Sequence, residues 1–180
     1  MALFISMLLT AVFAAQEAAL RIRFTPESEK FAAATAEYER LWAAEGSRIV
    51  AAMERISGLK QQEREISAVV FEGPSYSGYR ERPMRLRASY PEDVKKATLV
   101  HELYHRFLTD VRTTTEIDEH RKVFLVLYDT WVALYGAAFA DEMVKVERGR
   151  KGIYDYDTAW TWALAMTPEQ RAARFKELLR

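Results

Sequence analysis

Two of the three histidines in this 180-residue chain, His101 and His105, stand four positions apart in KKATLVHELYHRFL, 95–108, a stretch preceded by Pro91, Glu92 and Asp93. Proline at the first helical position and acids in the first turn are helix-start chemistry, and the helix is expected to run to about Leu108. Side chains four apart share one helical face, so both imidazoles must meet the same neighbour in any fold this chain adopts. The third, His120, follows a polar, Thr-rich turn over 109–116 and lies near the start of a second helix, expected from about Asp118 to Gly136. In an antiparallel pair turning near 113, residues 119–124 come beside the first two histidines. At about 100° per residue, Val123, Leu127, Trp131 and Leu134 lie on one side with His120 among them, and Arg121, Lys122, Asp129 and Gly136 lie opposite. His120 therefore points inward, toward His101 and His105.

The convergence is a metal-site pattern. Leu103 and Tyr104 between the histidines are uncharged, and Leu99, Val100 and Phe107 embed the helix, leaving one polar edge of His101, Glu102 and His105. A buried imidazole pair beside a carboxylate carries a desolvation penalty that ligation to a cation offsets. Two core histidines bonded to backbone or solvent are the bland alternative. The chain has no cysteine, so ligands must be His, Asp or Glu, and Zn2+ is the expected ion. A catalytic zinc takes three protein ligands, and the third is ranked His120, then Glu119, then Glu116. Glu102, one step round the helix, leans toward a metal-bound water.

His101-Glu102-Leu103-Tyr104-His105 resembles the HExxH motif of the zincin-type zinc metallopeptidases, closely over 98–108 and more loosely in the strand before and the helix after. The segment LYDTWVALYG, 127–136, is similar to that of uncharacterised bacterial members. The resemblance implies His101 and His105 as zinc ligands, Glu102 as base and hydrolysis of a peptide bond. Gluzincin-type relatives would favour a glutamate as third ligand. Arg106 departs from the pattern, since many members carry an uncharged residue there.

Length and composition set the frame. With 49% apolar residues the chain can bury one good core, and Lys plus Arg equals Asp plus Glu at 26 each, so no global field recruits nucleic acid or anionic lipid. Residues 1–15, MALFISMLLTAVFAA, carry no charged side chain and end in small residues, which reads as a secretory signal peptide too short to span a bilayer comfortably. They lack the usual Lys or Arg at the start, and a buried terminal element is the alternative. Residues 16–180 are expected to form a single metallopeptidase domain, periplasmic or extracellular if exported and otherwise cytoplasmic, with no stable membrane span after leader removal.

The expected fold class is α+β, predominantly helical and zincin-like, with a small antiparallel or mixed sheet on the motif helix and a helical C-terminal part. Strands are expected over 19–24, 66–71 and 84–88 from their alternation and β-branched content. Thr25 and Pro26 read as a helix start, Gly46 and Ser47 as an interruption, and Gly58 as the end of a second helical stretch. Later helices are expected over 137–148 and 158–166, and Thr167-Pro168-Glu169-Gln170 has the form of a capping box. Asp129 is expected to pair with a basic group on a neighbouring element or to cap a backbone donor, with orientation of a zinc imidazole as the alternative. Phe124, Tyr128, Trp131 and Tyr135 read as core, and so do Trp160 and Trp162, with one of the two partly exposed.

The implied chemistry is metal-assisted hydrolysis of a peptide or protein substrate, Glu102 moving the proton and a further donor stabilising the oxyanion. Tyr154, Tyr156, Tyr76 and Tyr79 are candidate phenols, although surface packing suits each as well. In zincins the substrate lies along the edge strand before the motif helix, which places it on Met84–Ala88 with Arg85 and Arg87 alongside. Two other readings stand beside this one: a zinc-binding regulatory or assembly module without peptidase activity, and an amidase acting on cell-wall peptides.

Overall fold

The structure, a computed structural model, describes residues 20–109, 111, 118–152 and 154–179. The expected leader (1–15), Glu116 and most of the 109–116 turn lie outside the described residues.

Strand β1 (Arg21–Pro26) buries Ile22 and Phe24 and exposes Arg21 and Arg23. Strand β2 (Glu65–Phe71) buries Ile66, Ala68 and Val70, and β3 (Met84–Arg87) buries Met84 and Leu86. Period-two alternation thus gives one apolar face, and each large apolar side chain removed from water there is worth about 1.5–3 kcal/mol. The order is β1-β2-β3, in register with Ile22 beside Ile66 and Val70 beside Leu86. Both pairings are parallel, which corrects the antiparallel or mixed sheet expected from the sequence. A parallel return needs a crossover of a dozen or more residues. Helix α1 (Ala32–Ser57) provides it between β1 and β2, and the 72–83 loop provides it between β2 and β3.

Two local readings also change. Pro26 ends β1, in register with Val70, instead of starting a helix, and a short 3-10 turn at Glu29–Phe31 leads into α1. That helix runs unbroken through Gly46. A Cβ at Gly46 would lie 2.7 Å from the Trp42 ring, so glycine here makes room for an indole and does not stop the helix. The helix ends at Gly58, whose φ of 73° is the left-handed conformation glycine adopts without strain.

Helix α2 (Glu92–Leu108) follows β3, and α1 and α2 pack against the sheet. Helix α3 (Glu119–Tyr135) starts at Asp118, whose carboxylate accepts from Arg121 N at 2.9 Å, and touches every other α-helix. Gly136, at φ 89°, turns the chain into α4 (Ala137–Arg148). Helices α5 (Tyr156–Leu164) and α6 (Pro168–Leu178) complete the C-terminal part. Both halves of the capping box at Thr167 and Gln170 are formed. Asp129 makes a two-pronged bond with Arg171, at 2.9 and 2.6 Å, and so ties α3 to α6. Phe124, Trp131 and Trp160 are fully buried, whereas Tyr128, Tyr135 and Trp162 are half-buried around them. The molecule is thus predominantly helical with a small three-stranded sheet. No helix of the described residues is long and apolar enough to cross a membrane.

The outer edge of β3 is already filled. Tyr76 exchanges main-chain bonds with Arg85 at 3.0 and 2.9 Å, Ser75 Oγ accepts from Arg87 N at 3.0 Å, and Tyr38 donates to Arg87 O at 3.0 Å. Arg106 secures the loop that does this. Its guanidinium donates to the carbonyls of Ser77 (2.9 Å), Arg80 (3.1 Å) and Arg82 (3.3 Å) and forms an ion pair with Glu63.

Candidate metal centre

Helix α2 brings His101 and His105 to one face because they are one turn apart, and α3 crosses that face with His120 in its first turn. The Nε2 atoms of His101 and His105 are 3.0 Å apart, and ligand nitrogens of all three rings lie within 4.8 Å of one another. In a tetrahedral zinc site with bonds of about 2.0–2.1 Å, ligand nitrogens are about 3.4 Å apart. The His101–His105 pair is near that spacing, and the third ring stands close by it. Among the described residues this is the one cluster of His, Asp and Glu side chains so arranged.

Burial keeps the donors in the ligating form. It pushes His105 down to about 2, with His101 and His120 adding to the shift, and pushes His120 down to about 4. Both rings are neutral imidazoles at ordinary pH, as a divalent cation requires. Three imidazole nitrogens converging in a desolvated site are a donor set that fits zinc.

Glu102 is 4% exposed, and among the described residues its carboxylate has no hydrogen-bond partner. Burial raises its pKa, against the lowering effect of His101 and Arg150. A carboxylate so placed is a stronger base than one in water.

The other candidates take different places. Glu119 is largely exposed and lies 3.8 Å from His105 Nδ1, on the ring edge away from His101. Tyr156 places its hydroxyl 3.1 Å from His120 Nε2, and Tyr154 stacks on the His120 ring with centroids 4.0 Å apart. Tyr154 also donates to Asp118, tying the link after α4 to the start of α3. Tyr76 and Tyr79 are exposed on the 72–83 loop. Arg85 and Arg87 are engaged with Glu27 and Glu72. Asp129, occupied by Arg171, does not orient a site histidine.

One residue at the centre escaped the sequence reading. Glu147, on α4, is 1% exposed, and its Oε1 lies 2.6 Å from His101 Nδ1. Trp160 Nε1 donates to its Oε2 at 3.0 Å, and Arg150 Nη1 is 3.5 Å from Oε1. Burial alone would raise this carboxyl's pKa, but the neighbouring His101 and Arg150, with the bonds from His101 and Trp160, hold it below the ordinary range. A signal existed: Ala140, Met143, Val144 and Glu147 are all buried at i, i+3, i+4 and i+7, so the glutamate sits on the apolar stripe of α4.

Access is limited. His101 and Glu102 are buried, and exposure remains at His120 and at the His105 side chain, which is 11% exposed. Two surface cavities, of about 250 and 380 Å³, lie along 59–64 and include no histidine. Comparison with protein-family models, curated proteins and solved structures gave no significant match.

Proposed function

We propose that the protein is a zinc-dependent hydrolase, a metallopeptidase of zincin type, with His101, His105 and His120 as ligands and Glu102 as general base. The observation that carries this reading is the meeting of three imidazoles beside a buried carboxylate with no hydrogen-bond partner among the described residues. When bound, zinc would polarise the substrate carbonyl and lower the pKa of a water. Glu102 would carry a proton from the attacking water to the leaving amine, a task its raised pKa suits. The Tyr156 hydroxyl, already on His120, is the nearest phenol for a developing oxyanion. A peptide bound along β3 must first displace Tyr76 from Arg85, because those main-chain groups are paired.

That closed edge, with the buried Glu102, favours a second reading: a zinc-binding regulatory or assembly module that needs no hydrolysis. Cell-wall peptides, as small amides, are the narrower enzymatic option. One experiment separates these. Purified protein is assayed for zinc content and for hydrolysis of casein and of muropeptides, alongside Glu102→Gln. Zinc at one per chain, with hydrolysis abolished in the variant, supports the enzyme. Zinc at one per chain with no hydrolysis of either substrate supports the module. No zinc uptake refutes both.

A further inference from the structure

Resting on the zinc reading above, we propose that Glu147 is a positioning residue for the metal site: it accepts a hydrogen bond from His101 Nδ1–H and so leaves Nε2 of that ring as a bare lone pair facing His105 and His120. A neutral imidazole carries one proton, and whichever nitrogen holds it cannot ligate. His101 Nδ1 is 2.6 Å from Glu147 Oε1, while Nε2 is 3.0 Å from His105 Nε2. Placing the proton on Nδ1 satisfies the carboxylate and frees the nitrogen on the side where the three rings meet.

The arrangement around Glu147 fits an orienting role better than that of a structural ion pair. Its shortest contact is to the imidazole, and the guanidinium of Arg150 stands farther off, at 3.5 Å. Arg150 is itself held by Thr98 Oγ1 at 3.1 Å, one turn before His101 on α2. Trp160 fixes the second carboxylate oxygen from α5, and its ring is clamped by Phe124, with centroids 3.9 Å apart and planes 11° from parallel. The carboxylate therefore has a donor on each oxygen and a counter-charge nearby, which a buried anion needs. Three elements (α4, α5 and the residues after α4) thus converge to set the orientation of one ring.

Glu147→Gln keeps the shape and the bond from Trp160, but its amide nitrogen would face Nδ1 and reverse the donor. The test uses the full-length protein. Nitrogen-15 NMR of the histidine rings reads the tautomer of His101 without metal, and competition with a chromogenic chelator reads the zinc affinity. In the wild type we expect the proton on Nδ1. In Glu147→Gln we expect it on Nε2 and zinc binding weaker by about 10–100-fold, the usual cost of removing such an outer partner. Trp160→Phe keeps the ring stack, removes one support of the carboxylate, and is expected to give a mixed tautomer and zinc binding weaker by several-fold. It carries the test if the Gln variant does not fold. Unchanged tautomer and affinity in the folded variants would overturn the proposal while leaving the zinc site standing. A wild type that takes up no zinc would instead sink the underlying reading, and a His101 proton on Nε2 in the wild type would sink the positioning role directly.

Discussion

Arg106→Met asks how much one buried guanidinium contributes to holding the 72–83 loop against the motif helix. The Arg106 side chain is 3% exposed, and it serves three carbonyls and the Glu63 carboxylate at once. Removing one member of a buried pair costs about 3–5 kcal/mol when the partner charge is stranded. Glu63 is 31% exposed and can regain water, so the lower part of that range applies. The freed carbonyls add about 1 kcal/mol or more unless the loop peels away to hydrate them. We expect a loss of roughly 3 kcal/mol, which for a chain of this size is about 6–12 °C in Tm. Glu63→Gln should cost about 2 kcal/mol, because it leaves the buried guanidinium without its counter-charge while the three carbonyls and the amide oxygen still accept from it. The double variant should be no less stable than Arg106→Met alone, since both changes act on one contact. Urea denaturation gives the free energies, and limited proteolysis followed by mass spectrometry reads cleavage within 77–82. A loss under about 1 kcal/mol, with cleavage there unchanged, would refute the reasoning by making this an ordinary surface pair.

Zinc at 1,000 times its dissociation constant should stabilise the protein by about 4 kcal/mol, and the corresponding rise in melting temperature, read by scanning fluorimetry, should vanish with EDTA or with His101→Ala. Without metal, stability should fall as the pH drops below 6.5, the ordinary histidine value, because His105 and His120 resist protonation in the fold and accept it when unfolded. The His120 contribution is present above 6.5 and lost by about pH 4, so His120→Gln should flatten the dependence of the urea midpoint over that window. Glu102, with its raised pKa, acts in the opposite sense, favouring the fold at low pH and losing that contribution as the pH rises through its folded value. Asp129→Asn should cost about 2–4 kcal/mol by leaving Arg171 without its counter-charge, yet leave zinc affinity unchanged when measured by chelator competition.

Helices and their ends were legible because their signals are local. Pro91 with two acids, Asp118, Gly136 and the Thr167 capping box each fix a boundary through neighbours within one turn. The inward direction of His120 followed from its angle on α3. Strand pairing was not legible, because alternation shows which face of a strand is buried and says nothing about the direction of its neighbour. Gly46 misled for a related reason: its role depends on where the Trp42 ring lies. Pro26 failed as a helix signal because the end of a strand tolerates a missing donor as well as a first turn does. Glu147 was overlooked because a glutamate near a helix end looks like solvated surface until its place on the buried stripe is counted.

The filled border of β3 bears on how the protein behaves at high concentration. A sheet grows into fibrils by recruiting chains onto unpaired backbone, and on this side Tyr76, Ser75 and Tyr38 have taken those groups. On the opposite border, exposed Arg21 and Arg23 and the missing donor of Pro26 discourage an incoming strand. Loosening the 72–83 loop would therefore do more than alter access to the motif helix: it would open a template for self-association.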